Sequence, residues 1–255
     1  MKLVLTLTLV FVVTFQSARA GWLAQEGGSE KGQKKDDVGS LLERIRSKSP
    51  AERREAIDQL ADAGDARAVE PLIAALRDEQ PDVRATVVNA LGQLGDKRAV
   101  QPLMLILNDE VSFVRAAAAR VLGQLGDGRA ADPLTASLRD ANSTVRGAAA
   151  LGLGSLKETR AVPGLIAALK DEAPDVRSAV AAALGDLRDK RAVTPLIQSL
   201  KDEYRMVKLA AALALADIGD KSAVAPLTEA VANEKEEEAR SQMKEALQRL
   251  MASPD

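Results

Sequence analysis

A ten-residue phrase recurs along the chain at a fixed interval, and that interval constrains the fold more than any single residue does. "LGDKRAVQPL" at Leu94–Leu103 has close variants in "AGDARAVEPL" from Ala63, "LGDGRAADPL" from Leu125, "LRDKRAVTPL" from Leu187 and "IGDKSAVAPL" from Ile218. The proline of the phrase stands at 71, 102, 133, 195 and 226, so successive steps are 31 residues or twice 31. The missing member falls at Gly164, with Pro163 one residue early, so that unit is altered rather than lost. An acidic column at Asp78, Asp109, Asp140, Asp171 and Asp202 keeps the same step, as does a basic column at Arg84, Arg115, Arg146, Arg177 and Lys208. A fixed period of this size is the signature of a solenoid, in which each unit contacts mainly its neighbours.

Each unit reads as two helices. The first opens at Pro102, a residue suited to a first helical turn, runs through Leu103 to Leu107 and stops at Asn108-Asp109. The second places Val114, Ala117, Ala118, Val121, Leu122 and Leu125 at helical spacing and stops at Gly126, which suits a left-handed cap. A lone hairpin cannot bury its apolar face, so stacking must supply the core. Ala and Gly crowd the second helices ("VRAAAARVLGQLG", "VRGAAALGLGSLK", "VRSAVAAALGDLR"), which predicts close approach between neighbours there. The expected fold is all-α: an αα superhelix of seven hairpins, with regular units over 64–218 and divergent caps at 37–63 and 219–252. The second cap carries the run "NEKEEEARSQMKE", polar as a terminal unit should be.

Residues 1–20, "MKLVLTLTLVFVVTFQSARA", have the form of a secretory signal peptide: Lys2, an apolar run from Leu3 to Phe15, then Ala18-Arg19-Ala20. Cleavage is expected between Ala20 and Gly21, because the run is too short for the roughly 20 residues that span a bilayer. Residues 21–36 lack apolar periodicity and read as a flexible leader. The mature chain is thus expected in the periplasm or outside the cell, with no membrane attachment. It has no cysteine, so its stability must come from packing, and with only 2% aromatic residues the core must be aliphatic. Without Lys2 and Arg19, 33 basic residues face 37 acidic ones, a net charge of −4 that argues against a nucleic-acid partner.

The pattern "DxRAVxPLIxAL(R/K)D" followed by "VRxAAAxALGxLGD", running from about Asp37 to Met251, resembles the short HEAT-like repeat of the phycobiliprotein-lyase type. The resemblance implies a HEAT-like solenoid whose second helices line the concave, ligand-facing side, and a monomeric scaffold binding a protein or peptide. A lyase-like or accessory role in protein modification is the alternative it brings. HEAT-like arrays also include deoxyhypusine hydroxylases, whose di-iron site needs His-Glu pairs, but this chain contains no histidine. That chemistry is excluded, as are Ser-His, Cys-His and His-liganded zinc sites. No catalytic residue, metal or cofactor is expected. The glycines of "LGQLGDGRA" lack the Lys and Ser/Thr of a phosphate loop and read as helix caps recurring at every helix end. "NST" at Asn142 fits a hydroxyl-capped helix start as well as a glycosylation acceptor.

Two sets of residues stand out. The acidic and basic columns lie six residues apart, and bridges Asp78–Arg84, Asp109–Arg115, Asp140–Arg146, Asp171–Arg177 and Asp202–Lys208 would cross the turns between helices as a structural ladder. In the last regular unit Met206, Leu209 and Leu213 fall on one stripe of the second helix, away from the repeated core positions. Their equivalents change character from unit to unit. A varied stripe on a constant frame marks a candidate protein-binding face, with Asn89, Phe113, Arg120, Leu151, Met206, Leu209 and Leu213 as its residues.

Overall fold

The computed structural model describes residues 37–253, and the signal-peptide, cleavage-site and leader readings fall outside them. Among the described residues the chain forms fourteen α-helices and no strand, paired as seven hairpins. The first helices of the pairs, here the A helices, are α1 (Val38–Arg44), α3 (Val69–Ala75), α5 (Val100–Ile106), α7 (Ala131–Ser137), α9 (Val162–Ala168), α11 (Val193–Ser199) and α13 (Val224–Asn233). The B helices are α2 (Pro50–Ala63), α4 (Pro81–Leu94), α6 (Ser112–Leu125), α8 (Ser143–Leu156), α10 (Pro174–Leu187), α12 (Arg205–Ile218) and α14 (Glu237–Ala252).

The recurring phrase is the joint between units. Gly95 closes α4 in the left-handed conformation (φ 69°), where a side chain would be strained. Asp96 then caps a 3-10 turn over Lys97–Ala99, its carboxylate accepting the backbone N–H of Arg98 at 2.9 Å. The Arg98 guanidinium folds back onto the same carboxylate, Nη2 to Oδ2 2.7 Å. Ala99, Val100 and Leu103 are fully buried, and Pro102 occupies the first turn of α5, where its missing N–H would have had no helical partner. Asp65, Asp127, Asp189 and Asp220 build the same capped turn; at Glu158 the side-chain cap is missing. The sequence reading had passed from glycine cap to helix without this turn.

Successive B helices pack directly on one another, whereas each A helix is held mainly by its own B helix and by the neighbouring 3-10 turns. Small residues permit the B contact: a Cβ on Gly123 would lie 2.5 Å from the Gly152 Cα, and one on Gly152 would lie 2.7 Å from the Ala119 carbonyl oxygen. The B helices are thus the closely packed layer of the stack.

Three local readings need correction. Of the glycines in "LGQLGDGRA", only Gly126 is a left-handed cap; Gly123 is interior to α6 and Gly128 lies in a 3-10 turn. Two helix ends do without glycine, Lys157 (φ 55°) and Arg188 (φ 50°) adopting the left-handed conformation instead. Asn142 does cap α8, but through its amide oxygen, which accepts from Thr144 N at 2.9 Å, and not through a hydroxyl.

Candidate functional site

The basic column reaches forward along the array. Arg84 Nε donates to Asp109 Oδ2 at 2.7 Å and Nη2 to Oδ1 at 2.8 Å, while Nη1 donates to the Asp78 carbonyl oxygen at 2.9 Å. The same fork joins Arg53 to Asp78, Arg115 to Asp140, Arg146 to Asp171 and Arg177 to Asp202. Six-residue spacing therefore brings each Arg to the backbone of its own unit's Asp, and the carboxylate it pairs with belongs to the next unit. The reason is satisfaction of the turn: each Asp carboxylate also accepts the N–H two residues on, as Asp109 does from Val111 at 2.9 Å. One guanidinium thus ties two successive inter-helix turns together. The expected Asp202–Lys208 bridge does not form, since Asp202 is taken by Arg177 and Lys208 pairs with Glu234.

These pairs are largely out of solvent, with both side chains of Arg146–Asp171 only 9% exposed. The hydrogen bond from Arg115 holds the Asp140 carboxyl below the ordinary carboxylate range, against the opposing effect of burial. The outer Asp127–Arg129 pair of the capped turn behaves alike, its carboxyl lowered to about 2 by the guanidinium and backbone hydrogen bonds of Arg129.

The B-helix stripe faces solvent. Phe113 and Leu151 remain 47% and 49% exposed, and they wall a groove of about 650 Å³ that runs across α4, α6, α8 and α10. Its lining is small and apolar at Ala116, Gly147 and Ala148, with Asn89, Arg120 and Asp175 as polar members. Arg120 Nη2 donates to Asn89 Oδ1 at 2.6 Å, bridging α6 to α4. Asn89, Phe113, Arg120 and Leu151 are therefore brought together.

Met206 and Leu213 are exposed on α12, outside that groove. Leu209 differs from the sequence reading: it is half-buried and packs against the core, because the tight B layer covers the middle of the helix face. Tyr204, at the start of α12, is also exposed and lies against Arg177, 5.5 Å from Cζ to the ring centroid.

The last unit is out of step by one residue. Glu234 and Arg240 take the acidic and basic places, 32 residues after Asp202 and Lys208, and Arg240 Nη1 reaches the Glu234 carbonyl oxygen as the other arginines reach theirs. With that offset the stripe continues onto α14 as Glu238, Ser241 and Glu245, all exposed. A 31-residue step had hidden them; the longer α13, ten residues against seven in the other A helices, accommodates the shift.

Among the described residues no group of three or more metal-binding side chains is placed to hold an ion, and no helix is long and apolar enough to cross a membrane.

The profile of the family described as HEAT repeats matches residues 38–119, 105–184 and 162–248. A search of curated proteins finds no match. Among solved structures, the complex of CpcE and CpcF of phycocyanin lyase from Nostoc sp. PCC7120 is similar at 26% identity, over 91% of this chain and 94% of that one, with a TM-score of 0.57. The Escherichia coli protein YibA is similar at 20% identity over 90% and 100% of the two chains, TM-score 0.57. A chain of the Kap95p–RanGDP complex reaches a TM-score of 0.65 at 13% identity, over 84% of this chain and 36% of that one. The last two likenesses concern the fold.

Proposed function

Because the chain belongs to the HEAT repeat family, we propose that it is an exported scaffold that binds a protein or peptide on the inner, B-helix face of its solenoid, as a monomer and without a catalytic centre of its own. The observation that carries this reading is the groove walled by Phe113 and Leu151. Two large apolar side chains stand half in water at positions where the other units, Met206 and Leu213 of α12 apart, carry exposed small or polar residues, and such exposure on a rigid surface marks a docking site. The HEAT repeat frame supports the reading further, since stacked hairpins present an extended concave surface.

Likeness to the phycocyanin lyase complex supports a second reading, a lyase-like or accessory factor in protein modification. Photo-cross-linking separates the two. A benzoylphenylalanine placed at Phe113 or Leu151 should capture a macromolecular partner, whereas the same group at Leu105, exposed on A helix α5, should not. Equal capture from Leu105 would refute the inner face. Recovery of a small molecule with the native protein, and no macromolecule, would favour the second reading. Export is tested separately, by sequencing the N-terminus of the mature protein, which should begin at Gly21.

A further inference from the structure

The B-helix face carries an asymmetric charge, and its apolar surface is broken into two sites. One is the Phe113–Leu151 groove; the other is the Met206–Leu213 patch on α12. Between Leu151 and Met206 the α10 edge of the groove presents Asp175 and Ser178, and beyond the second site α14 presents Glu238 and Glu245. Asp82 adds a carboxylate on α4, and Asp186 lies farther along α10. Asp186 is pushed above the ordinary carboxylate range by burial, with the neighbouring Asp217 adding to the effect. Arg120 on this face is tied to Asn89 and Gln124, Arg249 pairs with Asp217, and Lys157 and Arg188 stand beside Asp186 and Asp217, so among the described residues the uncompensated carboxylates beside the two apolar sites are Asp175, Glu238 and Glu245. Arg54 stands at the far N-terminal end, on α2.

Resting on the scaffold reading, we infer that the partner is a basic, apolar peptide segment lying extended across the B helices, with one apolar side chain between Phe113 and Leu151, a second on Met206 and Leu213, and Lys or Arg side chains over Asp175 and over Glu238 and Glu245. The interruption between the two apolar sites argues for an extended chain, since a helical partner presents a continuous stripe to a continuous groove. Packed helices lie about 8–10 Å apart and an extended chain advances about 3.3 Å per residue, so each B helix spans roughly three residues. The two anchors then fall about six residues apart by the same measure, an even separation that keeps both side chains on one face of the extended chain. Gly147 helps, because the place where its Cβ would sit has nothing within 4 Å, and a main chain can approach there.

The test uses fluorescein-labelled peptides of about twelve residues, the length set by that rise, titrated against the full-length protein. One carries two leucines six positions apart, with lysines between and after them in a Gly/Ser background. A second has every lysine replaced by glutamate, and a third has the leucines four apart. The lysine peptide should bind about tenfold or more tighter than the glutamate peptide, with the preference shrinking at high salt. It should also bind more tightly than the four-spaced peptide. The triple variant Asp175→Lys, Glu238→Lys, Glu245→Lys changes only exposed side chains, and with its helicity confirmed by circular dichroism it should invert the charge preference. Equal binding of lysine and glutamate peptides, or of six- and four-spaced leucines, overturns the inference. If that equal binding is still abolished by Phe113→Ser with Leu151→Ser, the scaffold reading survives its loss. If no peptide binds and cross-linking from Phe113 captures nothing, both fall together.

Discussion

Arg84 closes a two-point fork on Asp109, 25 residues ahead of it, while a third nitrogen holds the carbonyl of Asp78 in its own unit. A side chain that serves two turns at once is poorly replaced. In the equivalent rung, Arg146→Ala leaves Asp171 buried beside carbonyl groups that have lost their donor, and it should lower the stability of the array by about 3 kcal/mol in urea unfolding. Arg146→Lys should restore only part of this, since an ammonium cannot supply the planar fork. Wild-type stability in the Ala variant would contradict the forward ladder.

The ladder and the capped turns together set the response to acid. Asp140 is held below the ordinary carboxylate range by Arg115, and Asp127 is lowered to about 2 by Arg129. A carboxyl whose folded pKa is depressed binds its proton less readily in the folded chain than in the unfolded one. Its stabilisation is therefore complete above the unfolded value near 4 and disappears as pH falls through the folded value. Melting temperature should be flat from about pH 8 to 5 and should drop between about pH 4 and 2. Asp140→Asn should lower it at neutral pH and flatten the acid limb. A melting temperature unchanged down to pH 2 would rule the account out.

The period of 31 residues announces the hairpin, the stacking and the crowded B layer, because each depends on local pattern and on small residues that the sequence displays. The direction of the ladder was harder to read, since Asp78 and Arg84 are neighbours in sequence and their true partners are not. A clue lay at the first unit, where Ser47 takes the acidic place and Arg53 still holds the basic one. Arg53 donates to the backbone carbonyls of Ser47 and Lys48 and pairs with Asp78, so a column that needs no acid in its own unit must reach forward. The one-residue shift before α14 was hidden for a different reason: in "VANEKEEEA" several carboxylates compete for the acidic place, and only packing selects Glu234. Burial of Leu209 likewise depends on how closely the next B helix approaches, which helical periodicity alone does not set.

Glycines with different surroundings should respond in opposite directions. Gly123→Ala drives a methyl into the Gly152 backbone, and backbone cannot move aside cheaply, so a loss of about 1–3 kcal/mol is expected. Gly147→Ala meets nothing within 4 Å and replaces a flexible helical residue, which should add about 0.5–1 kcal/mol while narrowing the floor of the groove. Arg188→Gly removes left-handed strain at the end of α10 and should also stabilise. Thermal melts of the three single variants check the signs, and a stabilising Gly123→Ala would show the B layer to be looser than described.

The stripe on α12 offers the sharpest division between packing and recognition. Met206 and Leu213 keep 45% and 37% of their surface in water and, unlike Leu209, are not packed against the core, so Met206→Ser with Leu213→Ser should lower melting only modestly. Leu209 lies between them in sequence, packs against the core, and on replacement by Ser should lose about 1–2 kcal/mol from burial of its half-covered side chain. Binding should sort the other way. If the patch is an anchor, the double variant loses the lysine peptide while remaining folded, and at temperatures where it is folded Leu209→Ser keeps more of that affinity than the double variant does. A double variant that melts early shows that these two side chains support the terminal hairpin, and one that melts normally and binds normally shows that the second anchor lies elsewhere on the face.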